Sequence, residues 1–312
     1  MSRARGLLLF SGGLDSLLAG KVLQAQGIEV WAVRFITPFF HWGWRGREEE
    51  FDRLMREKYG FRGIVRDISE EYLEMLKAPP HGYGSAANPC IDCKILMLRK
   101  AREVMSEVGA DFLATGEVVG QRPMSQRRHI MRHIEKEAGV EGILLRPLCA
   151  KHLPPTEPEK KGLVDREKLY DFRGRGRKPQ MRLAREFGIT DYPTPAGGCI
   201  LTDPTIGERI LRLLELRGGL SVREAELALL GRHFVEEGFW LVVGRKEAEN
   251  RRLAELARPE DRLFKIRGVP GPTGLLVEGQ GDLEKVKEIL KRYTPKARDL
   301  SEVELEEFRE RS

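Results

Sequence analysis

The run Gly6-Leu7-Leu8-Leu9-Phe10 leads without a break into Ser11-Gly12-Gly13-Leu14-Asp15-Ser16. A short continuous apolar run reads as a strand buried on both faces. From Leu14 to Gln26, Leu17, Leu18, Lys21, Val22 and Ala25 recur at helical spacing. SGGLDS therefore falls on a strand-to-helix turn. The first N–H groups of a helix have no partner within it, and they attract an anion. Two glycines let the backbone approach such a ligand without a Cβ in the way. The spacing is not the GxxxxGK[ST] of a Walker loop.

Outward from that turn, strand and helix patterns alternate. Strands are expected at Gly6–Phe10, Ile28–Phe35, Gly63–Ile68, Asp111–Ala114 and Gly142–Leu148. Helices are expected up to Gln26 and at Glu48–Tyr59, Glu70–Leu76, Ile91–Val108 and Ser125–Ala138. Such alternation predicts an α/β fold with a doubly wound parallel sheet. Residues 149–158 hold three prolines and mark a linker or excursion. Asp165–Gly188 reads as two short helices around a basic loop. An amphipathic segment from Thr205 begins a second unit and the pattern changes from about Phe234, so residues 1–204 are expected as one domain and 205–312 as a smaller α/β domain. In the latter, Thr205–Arg217, Lys246–Ala257 and Leu283–Arg292 read as helices. Gly238–Gly244, Arg262–Arg267 and Gly274–Glu278 read as strands.

The chain has 312 residues, 41% of them hydrophobic, which is enough for two real cores. No stretch approaches the roughly eighteen apolar residues of a membrane span, and no leader precedes the first strand. The expectation is a cytoplasmic chain without a membrane partner. A net charge of +6 favours a polyanionic partner. The cations cluster at Gln121–His133 and Arg173–Arg185. In the latter, Arg175, Arg177 and Lys178 sit in a Gly-interrupted RGRGRK loop suited to phosphate contacts.

Four cysteines are present: Cys90, Cys93, Cys149 and Cys199. Cys90 and Cys93 form a CxxC at the expected start of a helix, where thiolates are favoured electrostatically. Cys199 follows two glycines in a loop. Three uses fit: a structural zinc, a redox pair, or a 4Fe-4S cluster held by three cysteines with one iron open. Cys149, beside an apolar run, reads as a buried structural thiol.

SGGLDS resembles the PP-loop of the ATP pyrophosphatase family, written SGGxDS. The resemblance implies an adenine nucleotide alpha hydrolase-like domain. ATP would lie on Ser11, Gly12, Gly13, Leu14, Asp15 and Ser16, with Mg2+ offsetting its charge and Asp15 holding the metal or orienting the loop. Phe35 would pack against adenine, as apolar groups ending this strand do in that fold. The run Thr115-Gly116-Glu117-Val118-Val119-Gly120-Gln121, with Ser125 and Gln126, resembles the TGxxxGQxxSQ segment of 4-thiouridine synthetases. That implies Gly116 and Gln121 near the nucleotide and Ser125 and Gln126 near an incoming uridine. The order loop, CxxCK, long gap, GGC resembles the oxygen-sensitive branches that thiolate tRNA. It implies a cluster on Cys90, Cys93 and Cys199, with zinc as the alternative, and lends Lys94 a role beside sulfur or phosphate. The segment VVGRKEAEN…DRLFKIRGVPGPTGLLV resembles in part the RNA-binding domain at the end of NFACT proteins. It marks Arg245, Asn250 and Lys265 as expected RNA contacts.

The function these resemblances imply is ATP-dependent thiolation of a tRNA uridine. The implied partners are tRNA, ATP and an inorganic sulfide or persulfide donor, with a homodimer as an open option. The THUMP and rhodanese modules of 4-thiouridine synthetases have no matching segment, which favours cluster-held sulfide over a rhodanese persulfide. Two alternatives remain. One is a PP-loop ligase or amidotransferase on another acceptor, with a structural zinc. The other is a non-catalytic RNA-binding protein.

Overall fold

The computed structural model describes residues 3–192, 199–279 and 281–308. The chain divides into two compact units, residues 1–84 with 88–199 and residues 85–87 with 200–312.

The first unit is built on five parallel strands. Its elements run β1 (Arg5–Leu9), α1 (Leu14–Ala25), β2 (Glu29–Ile36), α2 (Glu48–Tyr59), β3 (Arg62–Asp67), α3 (Ser69–Lys77), α4 (Cys90–Val108), β4 (Phe112–Thr115), α5 (Arg128–Ala138), β5 (Leu144–Leu145), α6 (Glu157–Lys160) and α7 (Lys178–Glu186). The strand order is β3-β2-β1-β4-β5. β1 pairs with β2 on one side and β4 on the other, so the chain reverses direction across the sheet at β1. Ligands of such sheets bind at the carboxyl ends of the strands flanking that point.

Successive strand residues feed opposite faces. Leu8, Ala32 and Ala114 join Leu17, Leu18 and Phe51 from α1 and α2 in one core. Leu7, Val33 and Leu113 join Ile95, Leu98 and Ile134 from α4 and α5 in the other. Both faces are covered, so the strands carry apolar residues at nearly every position. The fold expectation for this unit holds.

Two local expectations do not. The strand expected over Gly142–Leu148 is confined to Leu144–Leu145. Arg146 ends it, because its buried side chain turns inward to the carboxylates of Glu117 and Glu135 and its carbonyl accepts from the Cys149 amide. Of the two helices expected around the basic loop, the first is a 3-10 turn, Arg166–Lys168, capped by Asp165. Only α7 is a full helix.

The second unit contains α8 (Pro204–Arg217), α9 (Val222–Ala228), β6 (Arg232–Glu236), β7 (Phe239–Val243), α10 (Glu247–Leu256), β8 (Arg262–Ile266), β9 (Gly274–Leu276), α11 (Leu283–Tyr293) and β10 (Leu305–Phe308). Its sheet is antiparallel, in the order β10-β8-β9-β7-β6. Phe239, Leu241, Val243, Phe264 and Leu276 pack on Val286, Ile289 and Leu290 of α11. Sequence reading missed α9, β6 and β10.

No helix among the described residues is long and apolar enough to cross a membrane.

Candidate functional site

β1 ends at Leu9, and the chain curls through Ser11–Gly13 before entering α1. Gly12 takes φ +80°, a left-handed conformation that glycine adopts without strain. The curl is tied by its own hydroxyls. Ser16 Oγ donates to the Gly13 carbonyl at 2.8 Å, and Ser11 Oγ lies 3.2 Å from Ser16 Oγ. The amides of Leu14, Asp15 and Ser16 open the helix and have no carbonyl partner within it. They form the anion cradle expected from the sequence.

The adjacent strand end closes on this loop. A Cβ on Gly116 would collide with the Asp15 carbonyl and the Ser16 nitrogen. Only glycine lets the β4 turn approach so closely. Gln121 Nε2 donates to Asp15 Oδ2 at 2.9 Å. Asp15 Oδ1 is buried and without a partner among the described residues. A buried carboxylate oxygen left open at an anion cradle suits a cation that arrives with the anion.

Arg34 is the residue the sequence did not single out. It lies on β2 between two residues of the opposite core and points toward the α1 side. A Cβ on Gly12 would sit 2.5 Å from its Nη2. Its guanidinium packs over Phe51, Phe10 and Trp44 at 4.9, 5.2 and 5.6 Å from the ring centroids. The residue is 8% exposed, and its Nε has no partner among the described residues. No carboxylate among the described residues pairs with it. Burial lowers its pKa to about 10, so it remains a cation at neutral pH. His41 nearby is held neutral, its pKa pushed down to about 4 by burial and by Arg34.

Phe35 is 4% exposed and lies in the core on the α4–α5 side. Ser125 is fully buried, its hydroxyl unpartnered among the described residues. Gln126 closes its own loop: its Oε1 accepts from the Arg122 amide at 3.0 Å and its carbonyl from the Gly120 amide at 2.7 Å. The RGRGRK loop is pinned beside this turn, because the Gly174 amide donates to the Val119 carbonyl at 2.8 Å. Arg175 and Lys178 are exposed there. Arg177 is half-buried, with an Nε unpartnered among the described residues.

Cys90 and Cys93 occupy the first turn of α4, three residues apart and so on one face. Between them Asp92 is 5% exposed. It accepts from the His81 amide at 3.0 Å and holds His81 Nδ1 at 2.7 Å. His81 Nε2 in turn meets His133 Nε2 at 2.7 Å. This tie fixes the loop that leads into the cysteines. Cys199 is close enough for its charge, like that of Cys90, to act on Cys93. The two glycines of the GGC loop lie outside the described residues. The expected thiolate is not found at Cys93. Burial, then Cys199 and Cys90, push it up to about 12, outweighing Lys94 and the helix terminus. A thiol so placed loses its proton to a metal rather than to water. Among the described residues no three ligand-type side chains stand close enough to hold a single ion. Cys90, Cys93 and Cys199 are each half-buried.

The charge of Lys94 reaches the Cys93 sulfur, while its ammonium is engaged by a carboxylate. It is ion-paired to Glu117, which also holds the Arg146 Nε at 3.0 Å. Arg146 is 2% exposed and reaches on to Glu135. Burial alone would raise Glu117, but Lys94 and Arg146 hold it down at about 2. Cys149 is fully buried and donates to the Glu117 carbonyl at 3.2 Å, its thiol pushed up to about 11 by burial.

In the second unit the expected RNA contacts are engaged internally. Arg245 pairs with Glu249 at 2.6 Å, and Asn250 Oδ1 accepts from the Thr273 amide at 3.0 Å. Lys265 pairs with Glu306 across the β8–β10 ladder at 3.2 Å.

The strand order, the switch point at β1 and the SGGLDS turn fit the PP-loop fold expected from the sequence. Residues 1–152 match the family described as thiamine biosynthesis protein (ThiI). Residues 231–312 match the NFACT protein RNA binding domain. The first unit is thus similar to the tRNA sulfurtransferases over the residues that match. It is 35% identical over 147 residues to a probable tRNA sulfurtransferase of Moorella thermoacetica, covering 47% of this chain and 36% of the relative. The aligned part is thus about a third of that relative's length. Among solved structures, a 4-thiouridine synthetase–RNA complex with bound ATP is 21% identical, with a TM-score of 0.37, covering 60% of this chain and 52% of that one. The U34-tRNA thiolase NcsA from Methanococcus maripaludis with its [4Fe-4S] cluster is 16% identical, with a TM-score of 0.37, covering 69% and 68%.

Proposed function

We propose that this chain is an ATP-dependent tRNA uridine sulfurtransferase. ATP is split between its α- and β-phosphates at Ser11–Ser16, and sulfur is delivered from the site of Cys90, Cys93 and Cys199. One observation carries the reading. Cys93 is followed by Lys94, Lys94 pairs with Glu117, Glu117 follows Gly116, and Gly116 lies against the backbone of Asp15 and Ser16. A single ion pair therefore locks the cysteine helix to the nucleotide loop.

The residues divide the work. The amides of residues 14–16 and the Arg34 guanidinium bind the phosphates, and the open Asp15 Oδ1 faces an accompanying Mg2+. Gln121 keeps that carboxylate oriented. A uridine carbonyl oxygen bonds to the α-phosphorus, the bond to the β-phosphate oxygen breaks, and pyrophosphate leaves. The base then carries AMP on its former carbonyl oxygen. Sulfur bonds to the ring carbon and AMP departs with that oxygen. When bound, a 4Fe-4S cluster on the three cysteines supplies an iron without a protein ligand, where sulfide can be carried. Inorganic sulfide supplies the sulfur at the right oxidation level; a persulfide donor would in addition need a second thiol to form a disulfide with its inner sulfur, and a thiol reductant to reset it. Arg175, Arg177 and Lys178, pinned beside Gln121, are placed to take tRNA phosphates. For Arg245 and Lys265 to do so, phosphate must replace Glu249 and Glu306. The reacting base has to be turned out of its stack.

Anaerobic purification followed by iron, sulfide and zinc analysis with a visible spectrum tests the sulfur site. Iron and sulfide with broad visible absorption are expected. Stoichiometric zinc without iron would overturn this part of the reading.

A further inference from the structure

Gln180 is fully buried, and neither its Oε1 nor its Nε2 has a hydrogen-bond partner among the described residues. It stands in the first turn of α7, on the face that carries Leu183 and Ala184 into the core shared with α1. A buried amide with both ends open is costly, and nearly all such groups in folded chains are paired. A core selected only for stability would place leucine or methionine there. A long helical side chain lies back over the residue three before it. For Gln180 that residue is Arg177 at the helix cap, whose Nε is also buried and unpartnered among the described residues.

A further open group belongs to the neighbouring segment. Ser125 is fully buried with its hydroxyl unpartnered among the described residues. Its loop is closed by the Gly120 amide, which donates to the Gln126 carbonyl at 2.7 Å. A Cβ on Gly120 would lie 3.6 Å from the Gly174 nitrogen, at the start of the basic loop. The same turn sends Gln121 to Asp15. The open groups thus belong to two segments tied to each other and to the nucleotide loop. They point to one polar ligand rather than to a packing defect. A Cβ added to Gly174 or Gly176 would meet nothing within 4 Å, so the chain entering α7 has room to admit it.

The amide itself selects the ligand's chemistry. A simple anion would take the Nε2 hydrogens and leave Oε1 empty. A ligand with an N–H beside a carbonyl satisfies both ends at once. Uracil has that edge, with N3–H flanked by two carbonyl oxygens. Adenine offers a similar pair, but Phe35, the expected adenine contact, belongs to the core on the face of the sheet opposite α7.

We propose that Gln180 reads the acceptor base, its Oε1 accepting from uracil N3–H and its Nε2 donating to one ring carbonyl. The other carbonyl is left for the reaction. The inference rests on the uridine acceptor of the proposed function. Gln180 is a specificity residue, and it is closed over until the base enters.

The test uses the full chain and its Gln180→Met variant. The probes are short single-stranded RNA oligonucleotides, identical except for one uridine or N3-methyluridine in its place. The methyl group removes the N3–H. The parent is expected to bind the uridine oligonucleotide about tenfold more tightly than the methylated one. The variant is expected to bind both alike, with a melting temperature level or raised, since an open buried amide has gone. A variant that keeps the parent's preference overturns the role of Gln180 and leaves the uridine reading intact. A parent without preference overturns the inference, and nucleoside analysis of tRNA decides the thiolation reading separately. A variant that instead loses a preference for ATP over GTP puts adenine against the amide, which also overturns the inference. Should the variant fail to fold, proton NMR of the parent with the uridine oligonucleotide decides. The N3–H of a free single strand exchanges with water too fast to be seen. It is expected to appear on binding, in contact with a glutamine side-chain amide, and its absence overturns the inference.

Discussion

At the residue scale, the site rests on buried polar atoms that no nitrogen or oxygen among the described residues satisfies. Asp15 Oδ1 and Arg34 Nε are the two that matter at the nucleotide loop. A core built only for stability satisfies or removes such groups. Arg34 is the sharpest case, because three aromatic rings surround a cation with no counter-ion among the described residues. Replacing it with methionine keeps much of the volume and removes the charge. Arg34→Met should weaken ATP binding about ten- to hundredfold, the worth of a hydrogen bond to a charged group. The melting temperature should stay level or rise, since a buried unpaired charge has gone. Calorimetric titration with ATP and a thermal scan check both halves. Unchanged affinity with a lowered melting temperature would make Arg34 a packing residue. Sequence could not have found it, because an arginine inside an apolar strand reads as an edge residue until the sheet shows which face it points to. SGGLDS and Gln121 were legible, because turn chemistry and motif spacing are local. Phe35 was less so, since its ring joins the core of the face opposite α1.

At the scale of elements, α4 and the β4 turn are coupled by the ion-paired chain Lys94–Glu117–Arg146–Glu135, in which Arg146 is buried. The carboxylate of Glu117 titrates at about 2 in the fold, against a usual value near ~4.3 when unfolded. A depressed carboxylate stabilises above its unfolded pKa, and that contribution fades as pH falls from ~4.3 through about 2. Glu117→Gln leaves Lys94 and Arg146 short of a charge and should cost about 3–5 kcal/mol at neutral pH. The gap between parent and variant should narrow as pH drops through that window. Urea titrations at neutral pH and near the acid end measure it, and a gap independent of pH contradicts the assignment. Helices and strands of the first unit were readable from period alone. β5 was overread, because Arg146 leaves the sheet for this network. In the second unit α9 was missed although Ser221 and Glu224 form a capping box. β10 was missed because its Leu-Glu-Glu-Phe has the charged look of an exposed tail, while its glutamates pair with Arg262 and Lys265 on β8.

At the scale of the whole molecule, a unit matching the ThiI family model is joined to a unit matching an RNA binding domain. With Arg175 and Arg177 both changed to alanine, tRNA binding should weaken for every sequence alike. The slope of log affinity against log salt should fall by about one for each phosphate that is no longer neutralised. Filter binding across a salt series measures this, and an unchanged slope removes the loop from the RNA interface. The most direct test of the central claim is nucleoside mass analysis of tRNA incubated anaerobically with the reconstituted chain, ATP and sulfide. The account predicts a uridine with one oxygen replaced by sulfur, formed only with ATP and abolished by Cys199→Ser. A tRNA that stays unmodified with fully loaded, ATP-cleaving protein would contradict it.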